Sequence, residues 1–474
     1  MPLSESWVNS AERIGSDLHL ELAGTGSRRA ALGRALRAAI QDGRLAPGVR
    51  LPPYRSLAAD LGIARNTVAD TYAELVAEGW LTARQGSGTR VAERAAPAKT
   101  ARVPKKPRAV SAAPVHNLSQ GQPDASSFPR NAWSASTRRA LAAAPNDAFG
   151  PGDPQGRIEL RTALVDYLAR VRGVRAVPER IVICAGFADA LRLLFGGGVL
   201  RGTLAVEAYG LAFHRFLLAA DGVRTVPLGL DDHGTRTEDL AGRRGVRSVL
   251  LTPAHQFPIG GPLTPARRNV AVDWARERGG VVIEDDYDGE FRYDREPVGA
   301  VQALDPEHVL YVGSTSKSIS PALRLGWMVL PERLVDPVLA VKGQRERWTS
   351  VVDQLTFADL IVSGAYDRHI RHMRQRYRER RNRLVEALAD QAPHIEAAGI
   401  AAGLHAVLRL PYGTEASTLK AAAWRGVSLD GLAGFRHPDT PAHLEGLVVG
   451  YATPSDHAYA AALAALCEIL PPAP

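Results

Sequence analysis

A lysine five residues beyond the end of an apolar strand invites a chemical reading when a carboxylate and a phenol precede it at the end of another. The run Val281-Val282-Ile283 reads as a strand that ends in Glu284-Asp285-Asp286-Tyr287. Val309 to Val312 reads as a second strand and runs into Gly313-Ser314-Thr315-Ser316-Lys317. A lysine amine can condense with an aldehyde cofactor. A carboxylate such as Asp285 can pair with a protonated pyridine nitrogen and keep the ring electron-withdrawing. The Tyr287 hydroxyl can bond a phenolic oxygen, while Ser314 and Arg324 can hold a phosphate dianion. Each signal alone has a plainer reading: a strand-end Asp caps a turn, and a Lys after a strand is solvated. Their order and spacing together favour the chemical one.

Such residues need a sheet whose strand ends meet. From Asn117 to the C-terminus, strand-like apolar runs alternate with helical patterns, which predicts an α/β domain with a mainly parallel sheet. In open sheets of this kind ligands sit outside the carboxyl ends of the strands. That placement would bring Asp285, Tyr287, Ser314 and Lys317 to one crevice. Farther on, RHIRHMRQRYRERRNRL carries Ile370, Met373, Tyr377 and Leu384 at helical spacing, so one face packs and the other is basic. That face reads either as solvated or interdomain surface, or as a second DNA contact.

The N-terminal part has a different grammar. Leu32, Leu36 and Ile40 fall at helical spacing, and GRLAPGVRLP ends that helix. A short helix around Ser56–Leu61 follows, then a turn at Gly62. A helix from near Ala64 presents Val68, Tyr72, Leu75 and Val76 on one side. GWLTARQGSGTRV then reads as a hairpin. Helix, turn, helix and basic hairpin is the winged helix-turn-helix plan, whose second helix enters the major groove by its N-terminal residues. Arg and Asn can bond guanine and adenine edges bidentately. Arg84, Arg90 and the hairpin glycines suit close approach to phosphates.

Between the two parts, residues 92–116 are rich in Ala, Pro and basic side chains, a linker composition that spans about 80 Å when fully extended. The expected organisation is an arm at 1–27, a DNA-binding domain at 28–91, the linker at 92–116 and the α/β domain at 117–474. The 474 residues carry a formal charge of +8 and a pI near 9.6, which fits either a polyanionic partner or simply an Arg-rich composition. The two cysteines, Cys184 and Cys467, lack metal-ligand spacing, so neither a zinc site nor a disulfide framework is expected. No apolar run reaches the roughly 18 residues of a membrane span, and the N-terminus lacks a secretory pattern. A cytoplasmic location without membrane association is therefore expected.

The stretch GRLAPGVRLPPYRSLAADLGIARNTVADTYAELVAEGWLTARQGSGTRVA resembles the GntR family of regulators nearly end to end. The resemblance implies DNA contacts by Arg55, Arg65, Asn66 and Thr67, with Arg84, Gly86 and Gly88 in the wing. The family usually has Ser where this chain has Tyr54 and Ala64, so two helix-capping hydroxyls are missing. The downstream set, with FGPGDPQG at 149–156, resembles fold type I aminotransferases. TPAHQFPIG at 252–260 resembles one branch, the MocR/GabR regulators, which join a GntR-type winged helix to an aminotransferase-like domain.

What this resemblance implies is a fold type I domain, with a mainly parallel sheet and a small C-terminal α/β subdomain, behind a winged helix-turn-helix. It implies pyridoxal 5'-phosphate as cofactor, with Lys317 as the aldehyde's lysine and Asp285, Tyr287, Ser314, Arg324, Gly186 and His255 around it. It further implies a homodimer that binds a double-stranded DNA operator and responds to pyridoxal phosphate or to an amine that condenses with it. Relatives respond to pyridoxal phosphate itself, to γ-aminobutyrate or to taurine.

Some positions depart from the pattern. Relatives usually read SGSQQAL where this chain has Ala185-Gly186-Phe187-Ala188-Asp189-Ala190-Leu191. Leu211 stands where relatives place a Tyr on the cofactor ring. Val448 stands where they place an Arg for a substrate carboxylate, although Arg436 could supply a charge nearby. The expectation is a sensor that turns over amino acids poorly; the alternative is an active aminotransferase with a DNA-binding appendage.

Overall fold

The computed structural model describes residues 20, 22, 26–84, 88–93, 114–293, 298–345 and 348–473. The chain divides into two compact units, Met1–Val110 and Ser111–Pro474. Most of the arm and of the linker, and Gly86 of the wing, lie outside the described residues.

In the first unit, α1 (Arg28–Gln41) starts at Ser27, whose side chain accepts from the Ala30 amide. Its Leu32, Leu36 and Ile40 are buried, as their spacing predicts. Helix α2 (Tyr54–Leu61) closes on Gly62 in the left-handed conformation (φ +60°), which glycine adopts without a Cβ penalty. Helix α3 (Arg65–Ala77) buries Val68, Tyr72 and Leu75 against both. Burying each such side chain is worth about 1.5–3 kcal/mol. Arg37 of α1 donates to Glu74 of α3 and to Glu78, which caps the end of α3; such surface ion pairs add little stability, about 0–1 kcal/mol each. Strands β1 (Leu81–Arg84) and β2 (Gly88–Val91) pair antiparallel, Leu81 opposite Val91 and Arg84 opposite Gly88. The missing serines are accommodated simply. Ala64 is the N-cap of α3 with no side-chain cap bond. Tyr54 is not a cap; it is the first residue of α2, and its ring packs edge-on against Tyr72 at 5.3 Å.

In the second unit a seven-stranded sheet forms the centre. Its strands are β3 (Ile181–Cys184), β4 (Thr203–Glu207), β5 (Thr225–Leu228), β6 (Val246–Leu251), β7 (Val281–Asp285), β8 (Val309–Ser314) and β9 (Gly326–Val329). The spatial order is β3-β9-β8-β7-β6-β4-β5. All neighbouring pairs are parallel except those of β9, which is antiparallel to β8 and β3. Helices α4 (Ile158–Arg172) and α5 (Pro265–Arg278) accompany the sheet. The sequence of β7, VVIED, is buried at every position, so even its polar tail is enclosed.

This topology positions the crevice. Asp285 is level with Val312 in parallel register, so β7 and β8 end on the same side. Strand β9 returns from that side, with Gly326 opposite both Ser314 and Cys184. A Cβ on Gly326 would fall 2.9 Å from Gly186 Cα and from the Gly313 carbonyl oxygen, so only glycine lets the three turns meet. Just behind, Arg172 makes two bonds of 2.6 and 3.0 Å to Asp286, which also accepts from Tyr311 at 2.7 Å. All three are buried, and together they hold the end of β7 rigid.

The chain continues through α6 (Val351–Val362) into α7 (Ala365–Gln391), the expected basic helix. Ile370, Met373, Tyr377 and Leu384 are buried, as their spacing predicts. Arg380 is buried as well: it donates to the Ala452 carbonyl at 2.9 Å and to Asp456 at 2.7 Å. Arg376 donates to Asp124, Ser127 and Asp456. Part of this arginine run is therefore internal glue. A four-stranded antiparallel sheet completes the small subdomain, β10 (Ala397–Ala398), β11 (Ala406–Arg409), β13 (Gly446–Val449) and β12 (Asp430–Gly431), in that order. No helix among the described residues is long and apolar enough to cross a membrane.

Candidate functional site

On the first unit, Arg65, Asn66 and Thr67 form the first turn of α3. Arg65 and Asn66 are exposed and Thr67 is half-buried. Arg55, Arg84 and Gly88 are exposed too. The exposed side chains on α2, α3 and the hairpin are the donors that a groove-reading helix and a phosphate-contacting wing require. Arg90 differs from expectation in one respect: its guanidinium donates to the Gly48 carbonyl at 2.9 Å, which ties β2 to the preceding turn.

On the second unit, a cavity of about 580 Å³ opens at the carboxyl ends of the strands. Asp285, Tyr287, Ser314 and Lys317 all line it, as their placement at strand ends predicts, and Arg324 lines it with them. Lys317 Nζ donates to the carbonyl of Gly121. Gly121 has φ +78°, and a Cβ there would lie 2.9 Å from the amine. Burial holds the Lys317 pKa below that of an ordinary lysine, against the opposing pull of Asp285 and Asp288. A lysine biased toward the neutral amine is the nucleophile that attacks an aldehyde.

Burial and the neighbouring Asp286 push the Asp285 carboxyl well above the usual carboxylate range, with Lys317 opposing. The Tyr287 hydroxyl lies 2.9 Å from His255 Nδ1, which is 2.8 Å from Asp288. His255 is buried and is not among the lining residues, so it sits behind Tyr287 and orients it. Arg324 is exposed and lines the cavity with Ser314 and Ser316. Gly186 adopts φ +93° and ψ −179°, a conformation nearly closed to other residues. A Cβ on it would stand 3.9 Å from Arg324 Nη1, so it lies close behind that cation, although, like His255, it is not among the lining residues. Among the described residues there is no group of His, Cys, Asp and Glu that could hold a metal ion.

Comparison with known proteins agrees with both halves. Residues 29–91 match the bacterial regulatory proteins of the gntR family, and residues 113–411 match aminotransferase class I and II. The chain belongs to the MocR/GabR subfamily of GntR-type transcriptional regulators. It is 32% identical over 446 residues to the probable rhizopine catabolism regulatory protein MocR of Rhizobium meliloti, covering 88% of each chain. It is 32% identical to the pyridoxine biosynthesis regulator PdxR of Corynebacterium glutamicum, covering 79% of this chain and 81% of that one. The kynurenine aminotransferase structure from Pyrococcus horikoshii superposes with a TM-score of 0.68 at 24% identity, over 76% of this chain and 91% of that one, and shows the shared fold.

In this MocR/GabR regulator the departures have structural answers. Val448 is fully buried on β13 and packs in an apolar cluster with Val407, Leu432, Phe435 and Tyr209. Arg436, the candidate substitute, is not among the lining residues and donates instead to the Thr440 carbonyl. Leu211 and Ala188 line the cavity, whereas Asp189 turns away and accepts from the Ala185 amide at 3.0 Å. Arg215 does reach the cavity wall, but its guanidinium donates to the carbonyls of Gly210, Phe435 and Arg436.

Sequence reasoning did not single out Gly121, Ser316, Arg215, Phe187 or His214 as lining residues. The glycine of SQGQPD, immediately after the linker, was the one available signal for the first. The others are set by packing.

Proposed function

We propose that this transcriptional regulator senses through pyridoxal phosphate held in the strand-end cavity. The donor set fits that group. Among the described residues, the Asp285 carboxyl and the Arg324 guanidinium make no hydrogen bond, yet both line the cavity. A buried carboxyl short of a partner suits a pyridinium nitrogen, and an uncommitted guanidinium beside two serines suits a phosphate dianion. Tyr287, steadied by His255, suits the phenolic oxygen. When bound, pyridoxal phosphate supplies an aldehyde that captures amines and a ring that withdraws electrons. Lys317 would hold it covalently, and Gly121 would relinquish the amine.

The observation that carries this reading is the convergence of Lys317, Asp285, Tyr287, Ser314 and Arg324 on one cavity, downstream of a winged helix. Double-stranded operator DNA is the partner of that winged helix, with Arg55, Arg65, Asn66, Thr67, Arg84, Gly86 and Gly88 as its contacts. The chain acts in the cytoplasm as a homodimer. The ligand changes operator binding only by its differential affinity for two states of that dimer. Val448, sealed in an apolar cluster, offers no fork for a substrate carboxylate, so the effector is the cofactor itself or an amine without an α-carboxylate, and turnover of amino acids is slow.

The test is an absorption spectrum of purified protein titrated with pyridoxal phosphate, before and after borohydride, paired with operator mobility shifts at each concentration. A ligand-dependent band that borohydride fixes, together with a changed operator affinity, is expected. No band at excess ligand would refute the sensor assignment.

A further inference from the structure

We propose that His214, with Phe187 beside it, forms the aromatic wall against which the pyridoxal ring packs, in place of the aromatic residue that Leu211 has displaced. This rests on the cofactor reading above and assigns one face of that site.

His214 and Phe187 both line the cavity that holds Lys317, Asp285 and Tyr287. Their ring centroids are 4.8 Å apart with the planes tilted by 45°, so the two rings pack as an aromatic pair at that wall. Residues Ala212–Ala220 form a helix with Leu211 as its N-cap. The amide of His214 donates to the Leu211 carbonyl at 3.0 Å. Residues three apart lie on the same side of a helix, so His214 presents its ring one turn beyond the place where Leu211 has none.

Phe213 also lines the cavity, but it is 52% exposed and its ring lies 6.3 Å from that of His214, while the other candidates pack elsewhere. Phe257 packs edge-on against Tyr287, His405 and Phe435. Tyr209 is buried in the cluster around Val448.

The chemistry of the imidazole agrees. Among the described residues its ring nitrogens have no hydrogen-bond partner, although the side chain stands at the cavity wall. Burial, with Lys317 and Arg215 adding to it, lowers its pKa to about 4. At neutral pH it is therefore an uncharged aromatic ring beside the amine, which can face an electron-poor pyridinium. Were it protonated, it would repel Lys317 and compete with Arg324 for the phosphate.

The experiment is an equilibrium titration of full-length wild-type protein and variants with pyridoxal phosphate, read by absorbance and by circular dichroism in the same band. The parallel ligand is pyridoxal, which lacks the phosphate. His214→Ala should weaken both ligands about three- to tenfold, the range for one lost aromatic contact, and diminish the dichroism. His214→Phe should bind within about twofold of wild type, and His214→Gln should behave as Ala does. The Phe and Gln pair keeps the test decisive should the Ala variant fold poorly. Phe and Gln variants of equal affinity, or a loss confined to pyridoxal phosphate, would overturn the stacking role. A wild-type protein that shows no signal would overturn the cofactor reading and this inference together, whereas a normal wild-type signal with an unaffected Gln variant overturns this inference alone.

Discussion

Replacing Arg324 with glycine should separate what this residue does for a ligand from what it does to the fold. Among the described residues Arg324 is the one non-glycine with positive φ, at +48°. The left-handed region costs a side chain about 1–2 kcal/mol. The chain tolerates it because the segment is closed on both sides: the Thr315 amide donates to the Leu325 carbonyl at 3.0 Å, and the Arg324 amide to Pro321 at 3.4 Å. Arg324→Gly removes that strain but adds about 0.5–1 kcal/mol of unfolded-state entropy. Stability should therefore stay within about 1 kcal/mol of wild type, read as a urea midpoint at unchanged slope. Affinity should not stay the same. Losing one charge-assisted hydrogen bond to phosphate costs about 1.5–3 kcal/mol, or about ten- to a hundredfold in Kd for pyridoxal phosphate. Pyridoxal, without the phosphate, should bind the variant and the wild type alike. Equal losses for the two ligands would refute the assignment of Arg324 to the phosphate.

Four further outcomes are expected. Lys317→Ala should abolish borohydride-fixed pyridoxal, seen by intact mass, while leaving the far-ultraviolet dichroism unchanged; a persistent adduct would place the covalent bond elsewhere. Arg65→Ala should weaken a specific operator by about 1–3 kcal/mol and leave non-specific DNA nearly unaffected, whereas equal losses on both would mean a phosphate contact only. Burial, with His255 adding to it, lowers the pKa of His405 to about 4 from 6.5. The unfolded chain thus takes up its proton first, so stability is full above about pH 6.5 and is lost as the pH falls toward 4, by on the order of 3 kcal/mol; a His405→Gln variant with the same acid slope in urea melts would dismiss this cause. Finally, single-turnover mixing with a panel of amino acids should yield keto acid at least about a hundredfold more slowly than a true aminotransferase, because nothing at Val448 fixes the substrate carboxylate.

The sequence by itself determined a good deal. The 3.6-residue spacing of Leu32, Leu36 and Ile40, and of Val68, Tyr72 and Leu75, announced buried helix faces, because periodic apolar residues must be hidden on one side. Asp285 and Ser314 were legible as crevice residues because a fully apolar strand can end in polar residues only where the sheet itself ends. Tertiary structure decided which side chains then meet. The order β3-β9-β8-β7 brings Gly186 close behind Arg324, and no local pattern encodes that adjacency. His255 belongs to a recognisable motif, yet only packing puts it behind Tyr287, not at the cavity wall. Arg380 reads as one more basic residue of an exposed face, but Asp456 and the Ala452 carbonyl draw it inside. His214 carried no signal at all, since the place proposed for it depends on Leu211 lacking a ring, on Phe187 lying alongside and on Lys317 lying near. Periodicity reports whether a residue is buried; the strand order and the loops that cross it report against what.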